Sequence, residues 1–208
     1  LFRSIIMNFL VKIALPLQRL LDSTRSIDFL APLLLRIYLA PVFWVAGNNK
    51  LNSFQNTADW FGNPDWGLGL PMPELMAALA TGTEVLGAVL LIFGFGVRWV
   101  SIPLMITMLV AIFSVHIENG WQAVADSMSP FPPADIEMAG QRLEAAKSLM
   151  QQHGNYDWLT GSGSFVISNN GIEWGATYFI MLLALFFIGG GKYVSADYWI
   201  RKKYMTSA

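Results

Sequence analysis

Four stretches of the chain are apolar for long enough to cross a bilayer, and the polar residues fall around them. The first runs from about Phe29 to Gly47 (FLAPLLLRIYLAPVFWVAG) and the second from about Glu74 to Phe95. After the short turn Gly96-Val97-Arg98, a third continues to about His116. The fourth, GIEWGATYFIMLLALFFIGG, covers about Gly171 to Gly190. At 1.5 Å per residue, each can cover about 30 Å of hydrocarbon as a helix. Ahead of them, Phe2, Ile5, Ile6, Phe9, Leu10, Ile13, Leu17, Leu20 and Leu21 recur at helical spacing, with Arg3, Lys12 and Arg19 interleaved. This predicts an amphipathic helix on the membrane surface, kinked or broken near Pro16. Asn8 and Lys12 inside the apolar stretch, and the lack of a small-residue cleavage site, argue against a removable signal segment.

Two polar sections join the spans. The 48–73 section is rich in Asn, Gly, Trp and Pro and is expected to fold back over one mouth of the bundle. In the 117–171 section, Pro132-Pro133 precede a helix predicted over about 134–153. Its apolar face is Ile136, Ala139, Leu143, Ala146 and Met150, and Gly154 is its stop signal. The pattern predicts an all-α fold: a four-transmembrane-helix bundle with an N-terminal amphipathic interfacial helix. Residues 1–28 form the surface helix. Residues 29–208 form the four-span membrane domain, with a long extracytoplasmic insertion at 117–171 between spans three and four.

Composition agrees with a membrane protein. The chain has 208 residues, of which 54% are hydrophobic and 13% charged, against about 25% charged in a soluble domain. Arg3, Lys12, Arg19, Arg25, Arg98, Lys192, Arg201, Lys202 and Lys203 fall on the side of the two termini. The other side has Lys50, Arg142 and Lys147 among many acids. The positive-inside rule therefore predicts cytoplasmic termini. Trp60, Trp66, Trp121, Trp158 and Trp174 fall at or near the opposite face, as an interfacial belt would. The absence of cysteine rules out disulfides, thiol redox chemistry and iron–sulfur ligation by this chain. Nothing in the pattern suggests nucleic-acid binding.

Charge inside a span is costly, roughly 2.5–3.5 kcal/mol or more at the centre, so it demands a partner. Arg36 and Glu84 lie eleven and ten residues from the expected outer ends of their spans, and this equal depth predicts a buried pair near the midplane. Such a pair is either a register device or a site for a proton or ligand headgroup. Lys50, His116, Glu118 and Glu173 fall at outward ends of spans. With Trp44, Trp60, Trp174 and Tyr178 they are candidates to line one aromatic, polar pocket suited to a quinone headgroup. The competing reading is ordinary interfacial anchoring. His116 and Glu118 alone make a weak metal signal, so no metal site is assigned. Gly189-Gly190-Gly191-Lys192-Tyr193 lacks phosphate-loop spacing and reads as the end of the fourth span. No catalytic residue is identified.

Several of these residues stand in an order that resembles the DoxX family of small four-helix membrane proteins. They are Arg36, Ala46-Gly47 and Lys50-Leu51, then Trp60-Phe61-Gly62 and Gly69-Leu70-Pro71. Glu84, Gly87, Leu90, Gly94 and Arg98 follow, and the chain closes on Gly189 to Asp197. The 117–171 insertion and Asp197-Tyr198-Trp199 resemble the HvfX subgroup. The resemblance implies an accessory subunit of the bacterial inner membrane, without a covalent cofactor. Such a subunit would bind quinone or lipid and serve a membrane redox or copper-binding-peptide system, with a membrane or periplasmic protein partner. A thiosulfate-oxidising role, seen among relatives, fits poorly with a chain that has no cysteine. The alternatives are an assembly subunit docking through its outer loops and a small transporter or export helper acting as a homo-oligomer. Four spans without inverted repeats make the transporter the weaker of these.

Overall fold

The computed structural model describes the backbone of residues 2–205, and the side chains of Lys12 and of residues 14–205. Among these residues the fold is all helix, apart from one isolated antiparallel bridge between Val124 and Ser168. Helix α1 spans Phe2–Ser23 and passes through Pro16 without interruption, so the expected break is not there. Its apolar positions up to Ile13 lie outside the described side chains. Leu15, Leu17, Leu20 and Leu21 are exposed, as in a helix that lies beside the bundle rather than within it. A 3-10 turn, Thr24–Ile27, leads into α2 (Leu30–Asn52), and α3 (Phe54–Gly62) follows. Then come α4 (Pro73–Phe93) and α5 (Val97–Ala111). A π-helical turn (Ile112–His116) and a 3-10 turn (Ile117–Asn119) extend α5.

Among the described residues, three helical stretches are long and apolar enough to cross a membrane: Leu30–Asn52, Pro73–Phe93 and Val97–Asn119. The fourth apolar helix, α8 (Glu173–Ile188), is shorter than predicted at 16 residues. It gives about 24 Å of helix. The ends of the predicted 171–190 stretch are non-helical because Gly171 pairs with Gln122 and Gly189 turns with a φ of +74°.

Helices α2 and α4 bury complementary stripes at helical spacing. On α2 the stripe is Pro32, Arg36, Leu39, Ala40, Phe43 and Gly47; on α4 it is Ala77, Thr81, Glu84, Gly87, Ala88 and Leu91. The two run antiparallel. Gly47 meets Glu84 and Val85, and Arg36 meets the last turn of α4. Helix α5 runs antiparallel to α8 as well, with Val97 near Gly190 and Ile112 near Gly175. Leu39, Phe43, Leu91, Leu104, Leu182 and Leu185 form the centre of the core. The turn between α4 and α5 is two residues of left-handed glycine, Gly94 and Gly96, around Phe95.

The 48–73 section does fold back. Helix α3 lays Ala58 and Phe61 on Ala77 of α4, with Phe54, Trp60 and Leu68 around them. The 117–171 section is more ordered than its polarity suggested. Its two ends are joined by backbone hydrogen bonds from 120–125 to 167–173. The predicted helix forms as α6 (Ile136–His153), with Ala139 buried and Ile136, Leu143, Ala146 and Met150 half-buried on the expected face. A short α7 (Tyr156–Leu159) follows, and α9 (Ala196–Tyr204) ends the described chain.

At Gly47 helices α2 and α4 approach closely. A Cβ there would stand 2.7 Å from Val85 Cγ2 and 3.0 Å from Glu84 Cβ. Gly47→Leu should therefore destabilise the fold by about 1–3 kcal/mol through overpacking. Gly82→Ala on the same pair's open side, where nothing stands within 4 Å, should not. Unfolding in mixed detergent micelles would compare the two, and equal losses would refute the crossing geometry.

Candidate functional site

The polar groups inside the bundle are not paired as their expected depths suggested. Glu84 binds Lys50, not Arg36. Lys50 Nζ donates to both carboxylate oxygens, at 2.9 Å to Oε1 and 2.7 Å to Oε2. The Glu84 side chain is 3% exposed and that of Lys50 27%. The reason is helix length. The apolar run on α2 ends at Gly47, but the helix continues through Asn48-Asn49-Lys50 to Asn52. Gly47 is the α2 residue that faces Glu84. Arg36, eleven residues earlier, is then about 16 Å away along the axis.

Arg36 lies instead at the other end of the α2/α4 contact, fully buried. Its Nη1 donates to the carbonyls of Leu91 (3.1 Å) and Ile92 (3.3 Å), and its Nη2 to that of Val194 (2.9 Å). These include carbonyls of the last turn of α4, the negative end of that helix's dipole, which a cation stabilises. Gly94 leaves room for the guanidinium, because a Cβ there would collide with Nη1. Beside it, Asp197 accepts from the backbone N–H of Gly96 (2.7 Å) and of Val97 (2.9 Å), capping α5 at its positive end. Ser195 caps α9 by accepting from Tyr198 N–H, and its own hydroxyl donates to the Gly191 carbonyl. Lys192 pairs with Asp28 at 2.8 Å, which ties the tail to the start of α2 and holds the Lys192 pKa above its ordinary value.

The remaining candidates do not form one pocket. His116 and Trp174 line a cavity of about 290 Å³ together with Ala123, Val124, Ser168 and Asn170. The π-helical turn ends at His116, whose Nδ1 lies 2.8 Å from the Asn170 carbonyl. Trp174 stacks on Tyr178 with ring centres 6.1 Å apart. Glu173 is a clasp: its Oε2 accepts from Ala123 N–H at 2.9 Å and holds the neck of the insertion closed. Lys50 belongs to Glu84. Trp60 packs with Phe61 between α3 and α4, Trp44 is exposed on α2, and Glu118 is exposed beyond His116. The eight outer residues thus divide among the buried pair, the small cavity and the ring stacked beside it, the neck of the insertion, the α3 cover and open surface.

Sequence reasoning missed Thr81. Its hydroxyl is buried one helical turn before Glu84 and has no hydrogen-bond partner among the described residues. Hydroxyls in such helices ordinarily donate to the carbonyl four residues back, so an unused one beside a carboxylate is a polar group held in reserve. A threonine in an apolar run carries too little signal to single out. Among the described residues, no three His, Asp or Glu side chains converge as metal ligands. What the arrangement offers is a carboxylate in mid-helix, an ammonium that reaches it from the more exposed side, and a spare hydroxyl nearby. Those groups can accept, hold and release a proton or bind a polar headgroup.

Removing one partner of the pair should cost unequally. Lys50→Met leaves Glu84 enclosed and unpaired, at a cost of about 3–5 kcal/mol. Glu84→Gln leaves a lysine that already reaches toward the surface, and should cost clearly less. The neutral double variant Lys50→Met/Glu84→Gln should recover most of the Lys50→Met loss. Denaturation in mixed micelles reads all three, and equal single losses would contradict the difference in burial. Arg36→Lys should also destabilise, by about 1–3 kcal/mol, because one ammonium cannot span the carbonyls that the planar fork reaches. An Arg36→Lys variant as stable as the parent would show that the carbonyl contacts carry little weight.

Comparison with known proteins agrees with the membrane architecture. The DoxX family model matches residues 31–117. That segment contains α2, α3, α4 and α5 and so includes Arg36, Lys50, Thr81, Glu84 and His116. The "Putative oxidoreductase CatD" of Bacillus subtilis (strain 168) is 29% identical over 94 residues. That match covers 45% of this chain and 66% of the relative, a little less than two thirds of its length. No solved structure matches the chain.

Proposed function

With residues 31–117 taken as a DoxX-family membrane segment, we propose that the protein is a quinone-linked accessory subunit of a membrane redox system. The Lys50–Glu84 pair is its proton-handling site. The observation that carries this reading is the pair itself: a mid-helix carboxylate and its lysine, both inside the family segment. Intramembrane ionisable residues are functional candidates by default. A quinone headgroup gains or loses protons whenever electrons reach or leave it. Glu84 and Lys50 are groups that can exchange those protons, and Thr81 supplies a further donor. The electrons come from a partner protein, since this chain has no cysteine to carry them as thiol chemistry. The relative's name, an oxidoreductase, points the same way. The distribution of lysine and arginine supports an inner-membrane orientation with both termini cytoplasmic and α8 as a fourth, short span.

A second reading has its own observation. The insertion exposes several large apolar side chains, including Met128 at 88%, Trp158 at 77% and Phe131 at 62%. Exposed apolar groups of this size are what a docking partner would cover. On this reading the protein is an assembly subunit, and the HvfX-like features would place it in a copper-binding-peptide system.

Gentle purification from the native membrane, followed by mass spectrometry of retained lipids and proteins, separates the two. The redox reading expects an isoprenoid quinone with the parent protein. It also expects loss of that quinone in Glu84→Gln and in Thr81→Val, the latter leaving the charged pair intact. Parent protein without quinone would overturn it. A protein partner lost on shortening 117–160, with no quinone present, would establish the assembly role instead.

A further inference from the structure

A second and larger cavity lies at the opposite end from the insertion and has no part in either proposed role. It is a cleft of about 640 Å³ between the start of α2 and the tail that joins α8 to α9. Its apolar wall is Phe29, Pro32 and Ile188, residues at the very ends of two apolar helices. Its polar side carries Lys192, Arg201 and Lys202. The volume is in the range of a small-molecule site.

We propose that this cleft binds the phosphate headgroup of an anionic phospholipid from the adjoining leaflet. Such binding is independent of any redox role and needs only that the bundle is embedded in a membrane. Three observations support it. The first is charge. Two acids also line the cleft, but both are engaged: Asp28 with Lys192, and Asp197 with the N–H groups of Gly96 and Val97. Lys192 is engaged by that same pair and Lys202 lies over the Trp199 ring, but three cations against two acids leave the lining net positive, and guanidinium and ammonium groups are the usual phosphate donors. The second is depth. Phe29, Tyr193, Tyr198 and Trp199 make successive ring contacts with centres 5.2–5.8 Å apart. Tyr193 and Trp199 are more than half exposed. Exposed Tyr and Trp at the end of an apolar helix mark the headgroup layer. The third is shape, since a charged rim next to an apolar wall matches a headgroup with acyl chains attached and fits a free anion poorly.

The location also fits the lipid. This is the end where the basic residues gather, which the positive-inside rule assigns to the cytoplasmic leaflet, rich in anionic lipids. The cleft is held in shape by its own backbone. Gly191, at a φ of +88°, lies so close to Pro32 that a Cβ would stand 2.7 Å from Cγ.

The test is native mass spectrometry of the full chain released from nanodiscs of phosphatidylcholine mixed with phosphatidylglycerol. The parent should retain phosphatidylglycerol in preference to phosphatidylcholine, and the preference should fall as salt rises. Arg201→Gln/Lys202→Gln should weaken the preference by about 30-fold, at about 1 kcal/mol for each basic residue. Lys203→Gln, the next basic residue but outside the cleft's lining, should leave it unchanged. Circular dichroism would confirm that both variants keep the parent's helix content. A parent that shows no preference would overturn the proposal whatever the variants do. An equal loss in Lys203→Gln would reduce the effect to general surface charge and overturn it too. Displacement of the lipid by millimolar inorganic phosphate would identify a soluble-anion site, which also overturns it.

Discussion

A charge inside an apolar bundle has to be answered by a group within a few ångströms, and most of this fold follows from how two cations on α2 meet that demand. Arg36 and Lys50 are fourteen residues apart, which places them within about 40° of the same helix face. Both turn toward α4. Lys50 meets a carboxylate in mid-helix; Arg36 meets carbonyl oxygens at the helix end. Each contact needs space that a side chain would fill, and a glycine leaves that space open, Gly47 at one level and Gly94 at the other. The α2/α4 pair is thereby fixed at two points along its length, with Leu39, Phe43, Ala88 and Leu91 packed between them.

The rest of the bundle is attached to that pair at its ends. Arg36 also holds Val194, and the neighbouring Asp197 caps α5, so one polar knot ties α2, α4, α5 and the tail after α8. At the far end, Glu173 and the backbone pairing of 120–125 with 167–173 close the insertion into a neck above α8. Helix α3 covers the flank of α4 near Ala77. The two ends differ in kind. One is a compact knot with a basic cleft, and the other is the insertion, which carries exposed aromatic side chains and the helices α6 and α7.

Much of this was legible in the sequence because bilayer thickness and helical periodicity are strong signals. The long apolar helices, the face of α6 and the stop at Gly154 all follow from spacing. What failed was placement along the axis. A span end read from hydropathy marks where apolar side chains stop, but the helix of α2 continues for five residues past Gly47. That offset moved the expected partner of Glu84 from Lys50 to Arg36. The one-pocket expectation failed for a related reason. Equal depth at the outward ends of helices says nothing about which helices are neighbours, and the most extensive contacts are α2 with α4 and α5 with α8. Lys50 and Trp174 were therefore grouped by depth although they belong to different pairs. Pro16 predicts a kink or a break, and α1 runs through it unbroken. The cleft at the basic end was invisible because its lining comes from residues 28–32 and 188–202, far apart in sequence.

The choice of cation at each point bears on function. A guanidinium stays protonated under all ordinary conditions and offers a planar fork, which suits a permanent contact with several carbonyls. Arg36 is used in that way. A lysine ammonium is a single point charge that can surrender its proton when its surroundings change. Had the bundle needed only a fixed counter-charge for Glu84, arginine would have served and would have bound both carboxylate oxygens side by side. Lysine at position 50 meets both oxygens with a single ammonium, on a side chain that is partly exposed at 27%. The Thr81 hydroxyl, buried without a hydrogen-bond partner among the described residues, adds a third polar group on the same stripe of α4. The ion pair accounts for the burial of Glu84, while the Thr81 hydroxyl on the same stripe stands outside it.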